Sequence, residues 1–358
     1  MTQNKFILPS ALAMLCLASI VVLRQGQTTP SLPSQLPKYL AIKLNTNPET
    51  ISQASTDYGH IVHVNASAVF EPTSVNDIIE LIKYSNSIKK PFTIAARGQA
   101  HSADGQAMAH NGVVVNMTHL GDFRNGSGII VSDTYVDVGG KGDLITCSAE
   151  NNSEAFYAVL GGLGQYGIIT RARITLGPTP SRVKWLRLLY TDFSAFSRDQ
   201  EHLISLDDTN AADYVEGLIM LNKPPLQFSF FPASDKQRIT SLVTEYGVVY
   251  ALELVKYYSP NSETMVEKEV ANLVKGLKFV PTFSFEKDVS YVEFLDRVHT
   301  DELVLRSKGL WEVPHPWINL FVPKSRILDF NKGVIKGIIL KQNISAEVFL
   351  IYAMNRNK

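Results

Sequence analysis

The segment from His60 to Met117 constrains this chain most, because it lays down a β-α-β arrangement whose second crossing carries no helix. Ser74 stands where an N-cap is wanted, Asp77 follows three residues on, and Ile78, Ile79 and Ile82 then mark one helical face. A strand-like Ile61-Val-His-Val precedes this helix. Two short β-branched runs follow it, Phe92-Thr-Ile-Ala-Ala and Gly112-Val-Val-Val-Asn-Met. The loop between those runs is rich in small residues, among them Ala95, Ala96, Gly98, Ala100, Ala103 and Gly105. Small side chains let a backbone approach a ligand closely. His101 and Ser102 sit in the middle of that loop, either as ligand contacts or as parts of a plain polar turn.

Beyond Met117, further strands are expected at Gly128-Ile-Ile-Val, Thr134–Val138 and Leu144–Cys147. A helical pattern with Phe156, Val159 and Leu160 on one side then meets Gly161, Gly162, Gly164 and Gly167, and the chain resumes as a strand at Ile168. These glycines end a helix rather than open one. That order argues against a dinucleotide site of the Rossmann kind and against a P-loop. Gly177-Pro-Thr-Pro marks a domain boundary. After it, strands at Val183–Tyr190, Asp213–Leu221 and Val248–Tyr257 alternate with helices near Phe196–Leu206, Glu263–Leu277 and Tyr291–Arg306. This is an α+β pattern, an antiparallel sheet covered by helices.

At 358 residues the chain is long enough for two domains, and its 34 basic and 34 acidic residues balance, so nothing draws it to nucleic acid or to an anionic membrane. Residues 1–30 read as a secretory signal peptide: Lys5, an apolar run from Phe6 to Leu23 broken by Pro9, then a polar stretch, with cleavage between Ala18 and Thr29. A single membrane anchor is the alternative. The two cysteines, Cys16 and Cys147, leave a mature form with one thiol and no internal disulfide. Sequons begin at Asn65, Asn116, Asn125, Asn151 and Asn343, which with the leader points to the secretory pathway and to the extracellular space or the vacuole.

Three runs in order, RGQAHSADGQAMAHNGVVVNM at 97–117, AVLGGLGQYGIITRARI at 158–174 and VPHPWINLFVPKS at 313–325, resemble the plant cytokinin dehydrogenases, FAD-linked oxidases of the vanillyl-alcohol-oxidase type. The resemblance implies an FAD-binding domain over 31–178 and an α+β substrate domain over 179–358. It implies that His101 bonds covalently to FAD, and that Ala96, Gly98, Gln99, Ala100, Ser102, Gln106 and the Gly167-Ile168 turn line the cofactor. Trp317, Asn319 and Asp301 match substrate-contacting positions. The implied activity is oxidative cleavage of the N6 side chain of a cytokinin to adenine and an aldehyde. The expected electron acceptor is a quinone or oxygen, and the protein is expected to be a monomer with no metal.

Two departures stand out. The position before the histidine is Ala100, where the family usually has glycine. If that residue needs a positive φ, alanine costs about 1 kcal/mol there. More seriously, YVDVGG runs directly into KGDLITCS. The family carries a long segment at that place, with the aspartate base and a loop that holds the FAD pyrophosphate, and its C-terminus is longer. Asp133, Asp137 and Asp143 lie nearby and are expected to be solvated carboxylates. A shortened, inactive form is therefore the alternative function. A related flavin oxidase of carbohydrates or alcohols is a third, less favoured because its second covalent link would need a cysteine, and only Cys147 follows the histidine loop.

Overall fold

The computed structural model describes residues 32, 36–120, 136–139, 143–172, 179–222, 230–342, 344 and 349–355. The leader, the strand expected at 128–131, Asp133, Asn125 and Asn343 lie outside them. The chain divides into two compact units, Met1–Gly177 with Glu312–Ile318, and Pro178–Trp311 with Asn319–Lys358. Among the described residues no helix is long and apolar enough to cross a membrane.

The first unit holds a four-stranded sheet in the order β1-β2-β4-β3, formed by β1 (Leu44–Asn45), β2 (Ala68–Phe70), β3 (Ile94–Arg97) and β4 (Val113–Asn116). β2 and β3 both run parallel to β4, with Val69 opposite Val114 and Ala95 opposite Val114. The helix Val75–Ser87 between β2 and β3 starts at the expected cap: Ser74 Oγ accepts from Asp77 N, and the Asp77 carboxylate accepts from Ser74 N. Ile78, Leu81 and Ile82 bury against Phe70, Phe92, Val113 and Val115, so one face of the helix closes one face of the sheet. The run Ile61-Val-His-Val is not a strand. It makes a single bridge, Thr56 to His63, and the paired strand lies later, at Ala68–Phe70. The reason is local: the Asp57 carboxylate accepts from the backbone N–H groups of Ile61 and Val62 and bends the run into a turn.

A separate three-stranded sheet in the order β6-β5-β7 contains β5 (Val136–Gly139), β6 (Ile145–Cys147) and β7 (Ile168–Ala172). β5 and β6 pair antiparallel, Val136 with Cys147 and Val138 with Ile145. These two strands flank the junction at which the longer family segment is expected.

In the second unit, a five-stranded antiparallel sheet has the order β11-β8-β10-β9-β12: β8 (Arg182–Tyr190), β9 (Tyr214–Leu221), β10 (Val248–Tyr258), β11 (Ser284–Ser290) and β12 (Phe349–Ile351). Both faces are covered. The helices Phe193–Ser205 and Glu263–Val274 bury Phe196, Leu203, Val266 and Val270 against Leu188, Tyr250 and Leu252 on one face. The helix Lys236–Tyr246 buries Ile239, Leu242 and Val243 against Leu189, Val249 and Ala251 on the other. At Gly217 the helix Phe193–Ser205 approaches the sheet closely, since an added Cβ would stand 2.5 Å from Phe196 Cζ.

Candidate functional site

The loop after β3 is built as a place of close approach. Ala100 has φ +62°, the left-handed conformation in which a Cβ is strained. The backbone thereby reverses just ahead of His101, whose exposed imidazole meets the Tyr58 ring edge-on at 5.0 Å. Tyr58 N donates to Ser102 O at 3.1 Å, which ties the loop to the turn at residues 57–62. On its other side that turn receives the 312–318 segment: His315 N donates to Gly59 O at 2.7 Å, and His60 Nε2 lies 3.4 Å from Glu312 Oε2. Tyr58–His60 therefore bridges the histidine loop and the segment carrying Trp317, two motifs more than 200 residues apart in the sequence.

Arg97 anchors the base of the loop. Its Nη2 donates to the carbonyls of Gln53 and Thr56, at 2.9 and 3.0 Å, where the helix Pro48–Ala54 ends. Burial pulls its pKa down, and the charge of Asp57 works against that. Three buried polar atoms here have no hydrogen-bond partner among the described residues: Arg97 Nη1, Ser102 Oγ and Asp57 Oδ2. Two of them, Arg97 Nη1 and Ser102 Oγ, are donors that the oxygens of an anionic ligand would complete, whereas Asp57 Oδ2 is an acceptor.

A cavity of about 310 Å³ opens beside β3 and β7, lined by Ala96 and Gly98 from one motif, Gly164, Tyr166, Gly167 and Ile168 from the second, and Met117 and Leu120 between them. It brings together three of the expected cofactor residues, Ala96, Gly98 and Ile168. Gln99, Ala100, His101, Ser102 and Gln106 belong to the loop but do not line it. Gln106 turns its side-chain carbonyl to Asp104 N at 3.1 Å and so shapes the loop itself. Of the three expected substrate contacts, Trp317 is 67% exposed and stands in the first unit with the histidine loop. Asn319 lies in the second unit. Asp301 is half-buried on the helix Arg297–Ser307, also in the second unit. Of the carboxylates near the expected junction, Asp143 is exposed.

Sequence reasoning missed Tyr58, Asp57 and His60, whose place becomes visible only when the turn and the loop meet. It also missed a polar group inside the second unit. Glu216 and Glu253 are 6% and 0% exposed on the middle of the sheet, and Arg187 Nε reaches Glu253 Oε2 at 2.6 Å. Arg187 also stacks over the Phe230 ring, 4.6 Å from its centre. Burial, seconded by the Glu253 charge, raises the Glu216 carboxyl above the usual range, although hydroxyls of Tyr352 and Tyr214 and the charge of Arg297 pull the other way. The signal in the sequence was Glu253 itself, one carboxylate inside the apolar run VVYALELV.

The family described as cytokinin dehydrogenase 1, FAD and cytokinin binding, matches residues 180–358. Cytokinin dehydrogenase 2 of Arabidopsis thaliana is 41% identical over 403 residues, covering 96% of this chain and 80% of the relative. Cytokinin dehydrogenase 3 of the same plant is 43% identical, with 88% and 72% covered, and cytokinin dehydrogenase 6 of rice, Oryza sativa subsp. japonica, is 40% identical, with 89% and 74% covered. The matched span of 403 positions exceeds the 358 residues of the chain, so the relative carries residues within it that this chain does not. Among solved structures, an alkyldihydroxyacetonephosphate synthase shares the fold with TM-score 0.61 at 11% identity, over 92% of this chain and 80% of that one.

Proposed function

Because this chain belongs to the cytokinin dehydrogenase family, FAD-dependent oxidoreductases with an α+β fold of the vanillyl-alcohol-oxidase type, we propose that it acts on cytokinins and cleaves their N6 isoprenoid side chain to adenine and an aldehyde. The observation that carries this reading is the convergence, in one unit, of the histidine loop, the glycine turn before β7 and the segment bearing Trp317. The residues present fit FAD. Ala96, Gly98 and Ile168 bound the cavity, Ser102 Oγ and Arg97 Nη1 are buried donors in search of acceptors, and the loop offers backbone N–H groups unobstructed by large side chains. FAD, when bound, supplies a two-electron acceptor.

In this reading His101 carries the covalent link, and Gln99, Ala100 and Gln106 shape the loop that presents it. Trp317, Asn319 and Asp301 contact the substrate. The substrate loses a hydride from the carbon next to N6 and a proton from the amine, and the resulting imine hydrolyses. The proton needs an acceptor as the carbon–nitrogen double bond forms. The family base falls where YVDVGG meets KGDLITCS, so the reaction is complete only in a form that carries the longer segment there. The final electron acceptor is a quinone-type compound or oxygen, and the protein works as a monomer. Residues 31–178 are assigned to the FAD domain and 179–358 to the substrate domain, except that Glu312–Ile318 belongs to the first compact unit. The test is product analysis: a chain with a family-length segment restored between Gly140 and Lys141 releases adenine and an aldehyde from isopentenyladenine. Release of neither, from a folded protein loaded with flavin, refutes the proposal.

The leader at residues 1–30 and the sequons support passage through the secretory pathway to the extracellular space or the vacuole. Asn65 and Asn151 are exposed and open to glycosylation, whereas the Asn116 side chain is engaged with Thr118. Intact Met1 on protein recovered from medium, with no change after glycosidase, would count against it.

A further inference from the structure

The registers of the five-stranded sheet align one row of side chains on the face that packs against the helix Lys236–Tyr246. The row runs Phe285, Arg187, Glu253, Glu216 from β11 through β8 and β10 to β9. Tyr352, one residue past β12, ends it by donating its hydroxyl to Glu216 Oε1. The neighbouring row on the same face is apolar across β8, β10 and β9: Leu189, Ala251 and Leu218. Two carboxyls in such a wall need an explanation.

Glu253 is 0% exposed. Its Oε2 is held by Arg187, while its Oε1 is buried with no donor among the described residues. A fully buried carboxylate oxygen with no donor is costly. The residue directly opposite on β9 is Glu216, 6% exposed, and facing Cβ atoms on paired strands stand about 5 Å apart. Were both carboxyls ionised, one guanidinium would face two like charges in an apolar wall. One proton removes both difficulties. Placed on Glu216, it abolishes the like-charge contact and supplies the O–H that Glu253 Oε1 lacks.

We propose that Glu216 and Glu253 share a single proton, Glu216 standing as the neutral acid that donates to the Glu253 carboxylate, with Arg187 as counter-ion. The hydroxyls and the guanidinium facing Glu216 favour its ionised form, and against them stand the burial of both carboxyls and the place of Glu253 directly opposite. Tyr352 and Tyr214 offer it hydroxyls, and Arg297 is engaged with the Tyr214 hydroxyl at 3.3 Å. Lys287 on β11 lies over the Trp185 and Phe230 rings. Burial first, and then the Glu253 charge, favour the protonated form of Glu216. This pairing stands on the sheet alone, so it holds or fails independently of the proposed reaction.

The test is infrared spectroscopy of the full chain near neutral pH, reading the C=O stretch of a neutral carboxylic acid and its shift in D2O. We expect a buried acid band in the wild type that is lost in Glu216→Gln, whose amide can take the donor role, and lost in Glu253→Gln, where Glu216 pairs with Arg187 and ionises. Urea unfolding supplies a second readout. A raised native pKa at Glu216 gives stability that is full below the ordinary glutamate value of 4.5 and is lost as pH rises through the folded value. Across that window the unfolding constant rises tenfold per pH unit for one proton, and in Glu216→Gln this slope disappears. Should one variant fail to fold, the other decides. No acid band in the wild type, or a band that survives in a folded variant, overturns the proposal.

Discussion

Replacing Ala100 with glycine should stabilise the first unit, which is unusual for an alanine-to-glycine change. At φ +62° the Ala100 Cβ crowds the following carbonyl, a conformation that costs an L-residue about 1–2 kcal/mol and glycine almost nothing. Against this gain stands the greater freedom of glycine in the unfolded chain, about 0.4–1 kcal/mol. The balance favours Ala100→Gly by about 0.5–1 kcal/mol. For a unit of this size that raises the thermal midpoint by about 1–4 °C. The measurement is differential scanning calorimetry, with the transition of the first unit followed separately because two units need not unfold together. Gly164 is the control: it has φ +76° with no heavy atom within 4 Å of an added Cβ, so Gly164→Ala should cost about 1 kcal/mol through backbone strain alone. A fall in the first transition for Ala100→Gly, comparable to that for Gly164→Ala, would refute the reasoning.

Three further outcomes follow from the same structure. Asp77→Asn should cost about 1 kcal/mol in urea unfolding. Burial alone would push the Asp77 carboxyl up, but the ammonium of Lys43 at 2.5 Å and the bonds from Thr73 hold it below its ordinary value of 3.8. A depressed carboxyl contributes stability that is present above that ordinary value and lost as pH falls through the folded one, so the variant should lose part of the wild type's acid sensitivity. Arg187→Met should destabilise the second unit by about 3–5 kcal/mol, because it strands the fully buried Glu253, and the urea midpoint of that unit reports it. His101→Ala should leave no flavin fluorescence on acid-precipitated polypeptide, where a wild-type holo form retains it; yellow precipitate from the variant would move the link elsewhere.

How much of this was legible in the sequence depended on how local each cause was. The helix at 75–87 could be read because its capping box lies within four residues, and the strain at Ala100 because a family glycine position pointed to it. The main strands of the second unit carried their own β-branched signal. Ile61-Val-His-Val carried the same signal and misled, because Asp57, four residues upstream of Ile61, captures its backbone first. The helix Lys236–Tyr246 and the strand Ser284–Ser290 were missed. β11 is held by its pairing with β8, about 100 residues away, more than by its own composition SFEKDVS. The Arg187–Glu253–Glu216 row was invisible for the same reason, since register between distant strands cannot be read from either strand alone.

The central proposal is that this member of the cytokinin dehydrogenase family lacks, between Gly140 and Lys141, the segment to which the resemblance assigns the base and the phosphate loop. Its most direct test is the steady-state rate of isopentenyladenine oxidation, with a quinone-type acceptor, measured for the 358-residue chain and for a version with a family-length segment between Gly140 and Lys141. Each charge-assisted hydrogen bond missing from the pyrophosphate is worth about 1.5–3 kcal/mol of FAD binding, and loss of the base removes a further factor of about 10²–10⁴ from the chemical step. The two losses act on different steps and compound. The account predicts negligible turnover by the shorter chain and measurable adenine release by the restored one, with a ratio of at least about 10². Equal rates from the two would contradict it, and would mean that a carboxylate of this chain, Asp137 or Asp143 first, serves as the base.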